Sequence, residues 1–220
     1  MTPAPARVFL RPLGNPLPLG FLALAAGTLL LSGLQLGWLE PTDGTDVALI
    51  LIAFVFPLQL LASVLGYLAR DVVAGTGMGI LAGTWLSIGL VLATSEPGST
   101  SDALGLFLLL AGAAMLVPAA ASATGKLVPA LLLATTAVRF ATAGVYHLSA
   151  SATWEDITGI VGLALCAIAL YTALAMALED ARRATLLPLG RRALGRESLE
   201  GRFDEQLARI EREAGVREQL

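Results

Sequence analysis

Six runs of roughly twenty mostly apolar residues divide this 220-residue chain, with short polar interruptions between them. A helix needs about 20 such residues to cross a bilayer, because the hydrocarbon is ~30 Å thick and each residue advances the helix by about 1.5 Å. The runs fall at 16–38, 47–69, 76–94, 103–123, 127–148 and 157–178. They predict an all-α membrane protein with six transmembrane helices. Membrane strands are excluded, since these runs are too long, are rich in Leu, Ala and Gly, and lack alternation. A water-soluble globule is excluded as well: 14% of the residues are charged, against roughly 25% in an ordinary soluble domain.

The polar interruptions predict the orientation. The first, third and fifth connections carry Glu40, Asp43, Asp46, Glu96, Asp102, Glu155 and Asp156, with no Lys or Arg. The basic residues fall on the other side, at Arg7, Arg11, Arg70, Lys126, Arg182 and Arg183. Because Lys and Arg are retained on the cytoplasmic face, both termini are expected inside, in agreement with an even number of spans. The two arginines ahead of the first run superficially resemble a signal peptide. That run is too long for one and leads into five more spans, so it reads as a retained span.

The chain thus divides into a cytoplasmic segment at 1–14, a membrane domain at 15–180 and a charged cytoplasmic tail at 181–220. Within the tail, Leu199, Phe203, Leu207 and Ile210 recur at helical spacing, and Glu205 with Arg209 and Glu213 with Arg217 form favourable pairs four residues apart. An amphipathic helix is expected there, lying in solvent, on the membrane surface or against a neighbouring subunit.

Several chemistries are poorly provided for. With one His and one Cys, neither a structural metal site nor a nucleophile, base and orienting group can be assembled. No enzyme activity, metal or other cofactor is expected. A net charge of -3 offers no basic field for nucleic acid.

Polar and kinking residues inside the spans are the candidates for a pathway, because an inert anchor needs none of them. Asn15 opens the segment Asn15-Pro16-Leu17-Pro18-Leu19-Gly20. It serves as a helix cap or offers a helix N-terminus to an anion. Pro57 is expected to kink the second span, and the amide of Gln59 must face protein or water, as an interhelical tie or a pore lining. Gly79 and Gly83 form a pair suited to close helix packing, and mid-span Trp85 is a candidate pathway wall.

Arg139 lies near the middle of the fifth run, where an unpartnered charge costs about 3 kcal/mol or more. No Asp or Glu occupies the interior of any run. Its expected partners are therefore backbone carbonyls, the hydroxyls of Thr135 or Thr142, water or a bound anion, in a structural or a pathway role. His147 and Cys166 read as packing residues.

The opening NPLPLG, six short spans, Gln59, Tyr67, Trp85 and a final stretch running from Tyr171 to Leu187-Pro188-Leu189-Gly190 resemble the acetate uptake transporter family, which includes the succinate/acetate permeases. The resemblance covers roughly residues 14–190 and implies a six-helix subunit with its own pathway, assembled as a homo-hexamer in the cytoplasmic membrane. It assigns Asn15, Gln59, Trp85 and Tyr171 to family pathway positions, with Tyr67 as a further aromatic one. The family's apolar constriction corresponds to Leu24, Leu81 and Ala134, which lack its aromatic rings. Acidic family positions correspond to Gly66 and Met176, and the resemblance assigns no counterpart to Arg139, whose role rests on the physical argument alone.

The expected function is passage of small monocarboxylates such as acetate, as a channel or a proton-coupled carrier. Asn15, Gln59, Trp85, Arg139 and Tyr171 would form the route. Its partners would be the bilayer and a small carboxylate. Two alternatives stand beside it: a channel for small neutral solutes on the same fold, and a membrane scaffold or sensor acting through its tail.

Overall fold

The structure, a computed structural model, describes residues 13–182 and 184–192. The expected amphipathic helix of the tail, with Leu199, Phe203, Leu207 and Ile210 and the Glu205–Arg209 and Glu213–Arg217 pairs, lies outside the described residues, as do Arg7, Arg11 and Arg183. Six long apolar helices are present: span 1 Leu17–Gln35, span 2 Pro41–Leu68, span 3 Val72–Thr94, span 4 Asp102–Ala123, span 5 Leu127–Ser149 and span 6 Ala152–Arg182. Among the described residues there is no strand, only an isolated bridge between Lys126 and Arg191.

The helices start where the chemistry of capping allows. Asp71 accepts the Ala74 amide at 2.9 Å to open span 3, and Ser101 accepts that of Leu104 at 3.3 Å to open span 4. Two spans outrun their apolar cores. Span 6 begins five residues before its apolar run, with Glu155 in its first turn, where a carboxylate complements the helix dipole. Span 2 begins with a 3-10 turn at Pro41–Asp43, closed by a capping box between Glu40 and Asp43.

The expected kink in span 2 takes the form of a wide turn. Residues Leu51–Val55 adopt π-helical geometry immediately before Pro57. A proline leaves one carbonyl of the preceding turn without its amide, and a π-bulge absorbs that mismatch within a continuous helix.

Span 1 packs between spans 2 and 6, span 2 against span 3, span 4 against span 5, and span 5 against span 6. Glycines set the closest approaches. A Cβ at Gly66 would stand 2.9 Å from the backbone nitrogen of Gly75, and one at Gly144 would stand 2.8 Å from the carbonyl oxygen of Gly105. No larger residue fits at either crossing. The expected Gly79/Gly83 pair is only half realised: Gly79 meets Ser63, while Gly83 has open space around it.

Apolar side chains such as Leu22, Leu60, Leu110, Leu131 and Ile160 are exposed around the perimeter, while Gln59, Thr136, Arg139 and Thr172 are buried. This inversion suits a lipid surround. Thr28, Thr84, Thr136 and Thr172 each donate to a carbonyl one turn back in their own helix, so they cost the interior little.

The closing Leu186-Leu187-Pro188-Leu189-Gly190 segment folds back as a strap over the start of span 5. The carbonyls of Gly190 and Leu189 accept the amides of Leu127 and Val128 at 3.1 and 3.2 Å, filling the role of the cap that Lys126 does not provide. Gly190 sits at φ +62° against Leu127, a conformation that glycine adopts without strain. The strap is fastened by the Arg191–Glu179 ion pair and by the Tyr171 hydroxyl, which donates to the Pro188 carbonyl at 2.9 Å.

Candidate transport pathway

Two cavities open at opposite ends of the bundle. One, of about 130 Å³, lies among the acidic connections and is lined on spans 1, 3 and 5 by residues that include Leu34, Gln35, Trp85, Ile88, Arg139 and Phe140. The other, of about 160 Å³, lies among the basic connections, with Leu17, Phe21, Met78, Lys126, Leu133 and Met176 in its wall. They share no lining residue. Helical periodicity identifies what separates them.

On span 1, Leu24 lies three residues beyond Phe21 and seven before Leu31, on the row that joins the two cavities. On span 3, Leu81 stands likewise between Met78 and Trp85. Both have 0% exposure. Span 4 supplies Met115, also at 0%, midway between Leu108 and Ser122, which line opposite cavities. On span 5 the lining residues Pro129, Leu133, Phe140 and Ala143 form a row that buried Ala137 completes. Ala134 lies about 100° round the helix from Leu133, is half-buried and lines neither cavity. Met115 and Ala137 are additions to the sequence reading. The signal was available in the three-four spacing of each run, but only the cavities show which row faces inward.

The cavity at the acidic end is the more polar. Arg139 is 3% exposed, and its Nη2 donates to Gln35 Oε1 at 2.7 Å. The hydroxyls expected to hold it do not: Thr142 donates to the Arg139 backbone carbonyl and Thr135 to that of Leu131. The sequence reading overlooked the amide oxygen of Gln35, near the end of span 1. Arg139 Nε is buried without a partner. The guanidinium lies against Gly162, where a Cβ would overlap Ser32 Oγ and stand 2.7 Å from Nε. Tyr146 donates to Glu155 at 2.9 Å, and His147 Nδ1 accepts the Ser101 amide at 3.2 Å. His147 is thus a wall residue of this cavity as well as a packing one. Trp85 packs over Gly27 with its indole nitrogen unpartnered.

At the basic end, Asp71 and Lys126 face the cavity. Burial holds the Lys126 ammonium below its usual range; neighbouring Arg191 adds to the effect, and Asp71 opposes it. Glu179 is buried on span 6 and tied to Arg191 and Thr185.

Of the five expected route residues, the structure brings Trp85 and Arg139 into one cavity. The other three line neither. Exposed Asn15 accepts the Leu17 amide at 3.1 Å, starting span 1. Gln59 is fully buried and donates to the Gly20 carbonyl at 3.2 Å, tying span 2 to span 1, while its Oε1 has no partner. Tyr171 holds the strap, and Tyr67 meets the Thr76 hydroxyl at 2.9 Å. Gly66 is pressed against the backbone of span 3 and leaves no room for a larger side chain. Met176 lines the basic-end cavity.

The GPR1/FUN34/yaaH family profile matches residues 1–189. The chain belongs to this family. The resemblance drawn from its opening and closing motifs is thereby borne out. Among solved structures, one titled "Structure of the bacterial acetate channel SatP" superposes with a TM-score of 0.73 at 25% identity, covering 81% of this chain and all of that one. No curated protein matches by sequence. As a family member built of six apolar helices, the chain is a multi-pass membrane protein of a transport family.

Proposed function

We propose that the chain passes small monocarboxylates, acetate foremost, across the cytoplasmic membrane, with its basic connections and both termini inside. The observation that carries this reading is the pair of cavities at opposite ends of one bundle, separated by an apolar neck of Leu24, Leu81, Met115 and Ala137. Family membership and the likeness to an acetate channel support it.

A carboxylic acid with a pKa of about 4 to 5 is an anion at neutral pH and enters hydrocarbon only at high cost. The two cavities shorten the dry stretch from the full membrane to a neck of a few side chains. Such a neck excludes water and gates by dewetting. Arg139 and Trp85 serve at the acidic mouth. Asn15 and Gln59 shape span 1 beside the basic mouth, and Tyr171 keeps the strap seated. By family resemblance, six subunits form a ring, each with its own route.

A solute panel in proteoliposomes tests this. Uptake of acetate ahead of acetamide and glycerol is the expected result, and acceleration by an inward proton gradient identifies proton coupling. Uptake of neutral solutes alone transfers the fold to the neutral-channel reading. No uptake of any solute, with loss of cellular function on deleting residues 191–220, favours the scaffold.

A further inference from the structure

Arg139 is a buried charge in the wall of the acidic-end cavity. Among the described residues its guanidinium makes a single hydrogen bond, to the neutral amide of Gln35, and no ion pair. A buried guanidinium has five N–H donors and a full charge to satisfy. Gly162 lets the guanidinium pack close against span 6, and Trp85 and Phe140 line the same cavity as Arg139. The remaining titratable groups facing the cavity are Tyr146, His147 and Glu155, and the Glu155 carboxylate is already bonded to the Tyr146 hydroxyl.

We infer that this cavity is a binding site for one small monocarboxylate, its carboxylate on Arg139 and its short apolar tail toward Trp85 and Phe140, with Glu155 acting as the residue that rejects dicarboxylates. The inference rests on the transport reading and deepens it. A guanidinium edge matches a carboxylate in shape as well as charge, which a chloride ion cannot exploit. A second carboxylate on the ligand would be placed in a cavity whose other fixed charge is Glu155, and like charges in a poorly solvated space repel strongly. Gln35 holds the guanidinium in place and leaves its remaining donors to the ligand.

The test is equilibrium binding to the purified full chain in nanodiscs, read by thermal stability and by calorimetry. The probes are sodium acetate, sodium succinate, sodium chloride and acetamide at matched ionic strength. A ligand that binds only the folded state raises the melting temperature saturably. Acetate is expected to do so while the other three do not. Arg139→Met weakens acetate binding on the order of thirty-fold or more, Arg139→Lys retains part of it, and Glu155→Gln lets succinate bind. Should Arg139→Met fail to fold, saturation-transfer NMR of acetate on the parent chain, with Arg139→Lys for comparison, gives the same information. An unaltered melting temperature with acetate, an equal response to chloride, or undiminished binding by Arg139→Met overturns the site. Equal binding of succinate by the parent overturns the role of Glu155. Acetate binding without acetate flux sinks the transport reading and leaves the site standing; flux without binding does the reverse.

Discussion

Arg139 on span 5 reaches Gln35 at the end of span 1, its Nη2 standing 2.7 Å from the Gln35 side-chain oxygen. This contact links two helices that both run from the basic end of the bundle to the acidic end, and it fixes a buried guanidinium in the wall of the acidic-end cavity. Replacing Gln35 by Leu removes the acceptor and leaves a buried charge with less compensation. A loss of about 1–3 kcal/mol is expected, seen as a lower melting temperature in nanodiscs, whereas Gln35→Glu retains the acceptor and much of the stability. An unchanged melting temperature for Gln35→Leu would show that the contact does not hold the guanidinium.

The proposed neck has a register that two substitutions three residues apart on span 5 can read. Ala137→Leu places a larger side chain on the row between the cavities and is expected to reduce flux at least several-fold while the protein still assembles. Ala134→Leu, about 60° away on the helix and lining neither cavity, is expected to leave flux near the parent value. Both are measured as labelled-acetate uptake normalised to reconstituted protein. The reverse ranking would move the neck to Ala134.

Glycine substitutions separate contact from open space. Gly66→Ala puts a Cβ 2.9 Å from the backbone of Gly75, where neither helix can yield cheaply; a loss of about 1–3 kcal/mol is expected. Gly83→Ala meets nothing within 4 Å and is expected to gain roughly 0.5–1 kcal/mol through reduced backbone freedom. Thermal unfolding of the two variants side by side checks the helix faces directly.

The bonds that seat the strap can be measured one at a time. Tyr171→Phe deletes the hydrogen bond to the Pro188 carbonyl and is expected to cost about 0.5–1.5 kcal/mol. Glu179→Gln breaks the ion pair with Arg191 and is expected to raise proteolytic cleavage after Arg191 and Arg192. Cleavage at the parent rate would mean that the backbone bonds of Gly190 and Leu189 suffice to seat the strap.

The architecture was legible because hydrocarbon imposes a single rule, that every backbone group be bonded within its own helix, and long apolar runs follow from it directly. Helix ends were read less well. Span 6 extends into Thr153, Trp154 and Glu155, where capping and dipole effects replace hydrophobicity as the governing terms. At the candidate pathway, Arg139 was legible as a residue in need of partners because a buried charge is conspicuous in any apolar run. Its actual partner, Gln35, lies 104 positions away in sequence, and no local spacing could join them. Met115 and Ala137, proposed for the neck, carry no distinguishing sequence signal for a related reason. An apolar residue facing a pathway and one facing lipid look alike until the cavities on either side are seen.

The central claim is a continuous route for a small acid through one bundle. Uptake of labelled acetate by proteoliposomes holding the purified chain tests it most directly, with protein-free liposomes and the Ala137→Leu variant as controls. Uptake well above the protein-free rate, and falling at least several-fold on Ala137→Leu, is the expected result. Uptake no faster than in protein-free liposomes, or unaffected by filling the neck, would contradict the account.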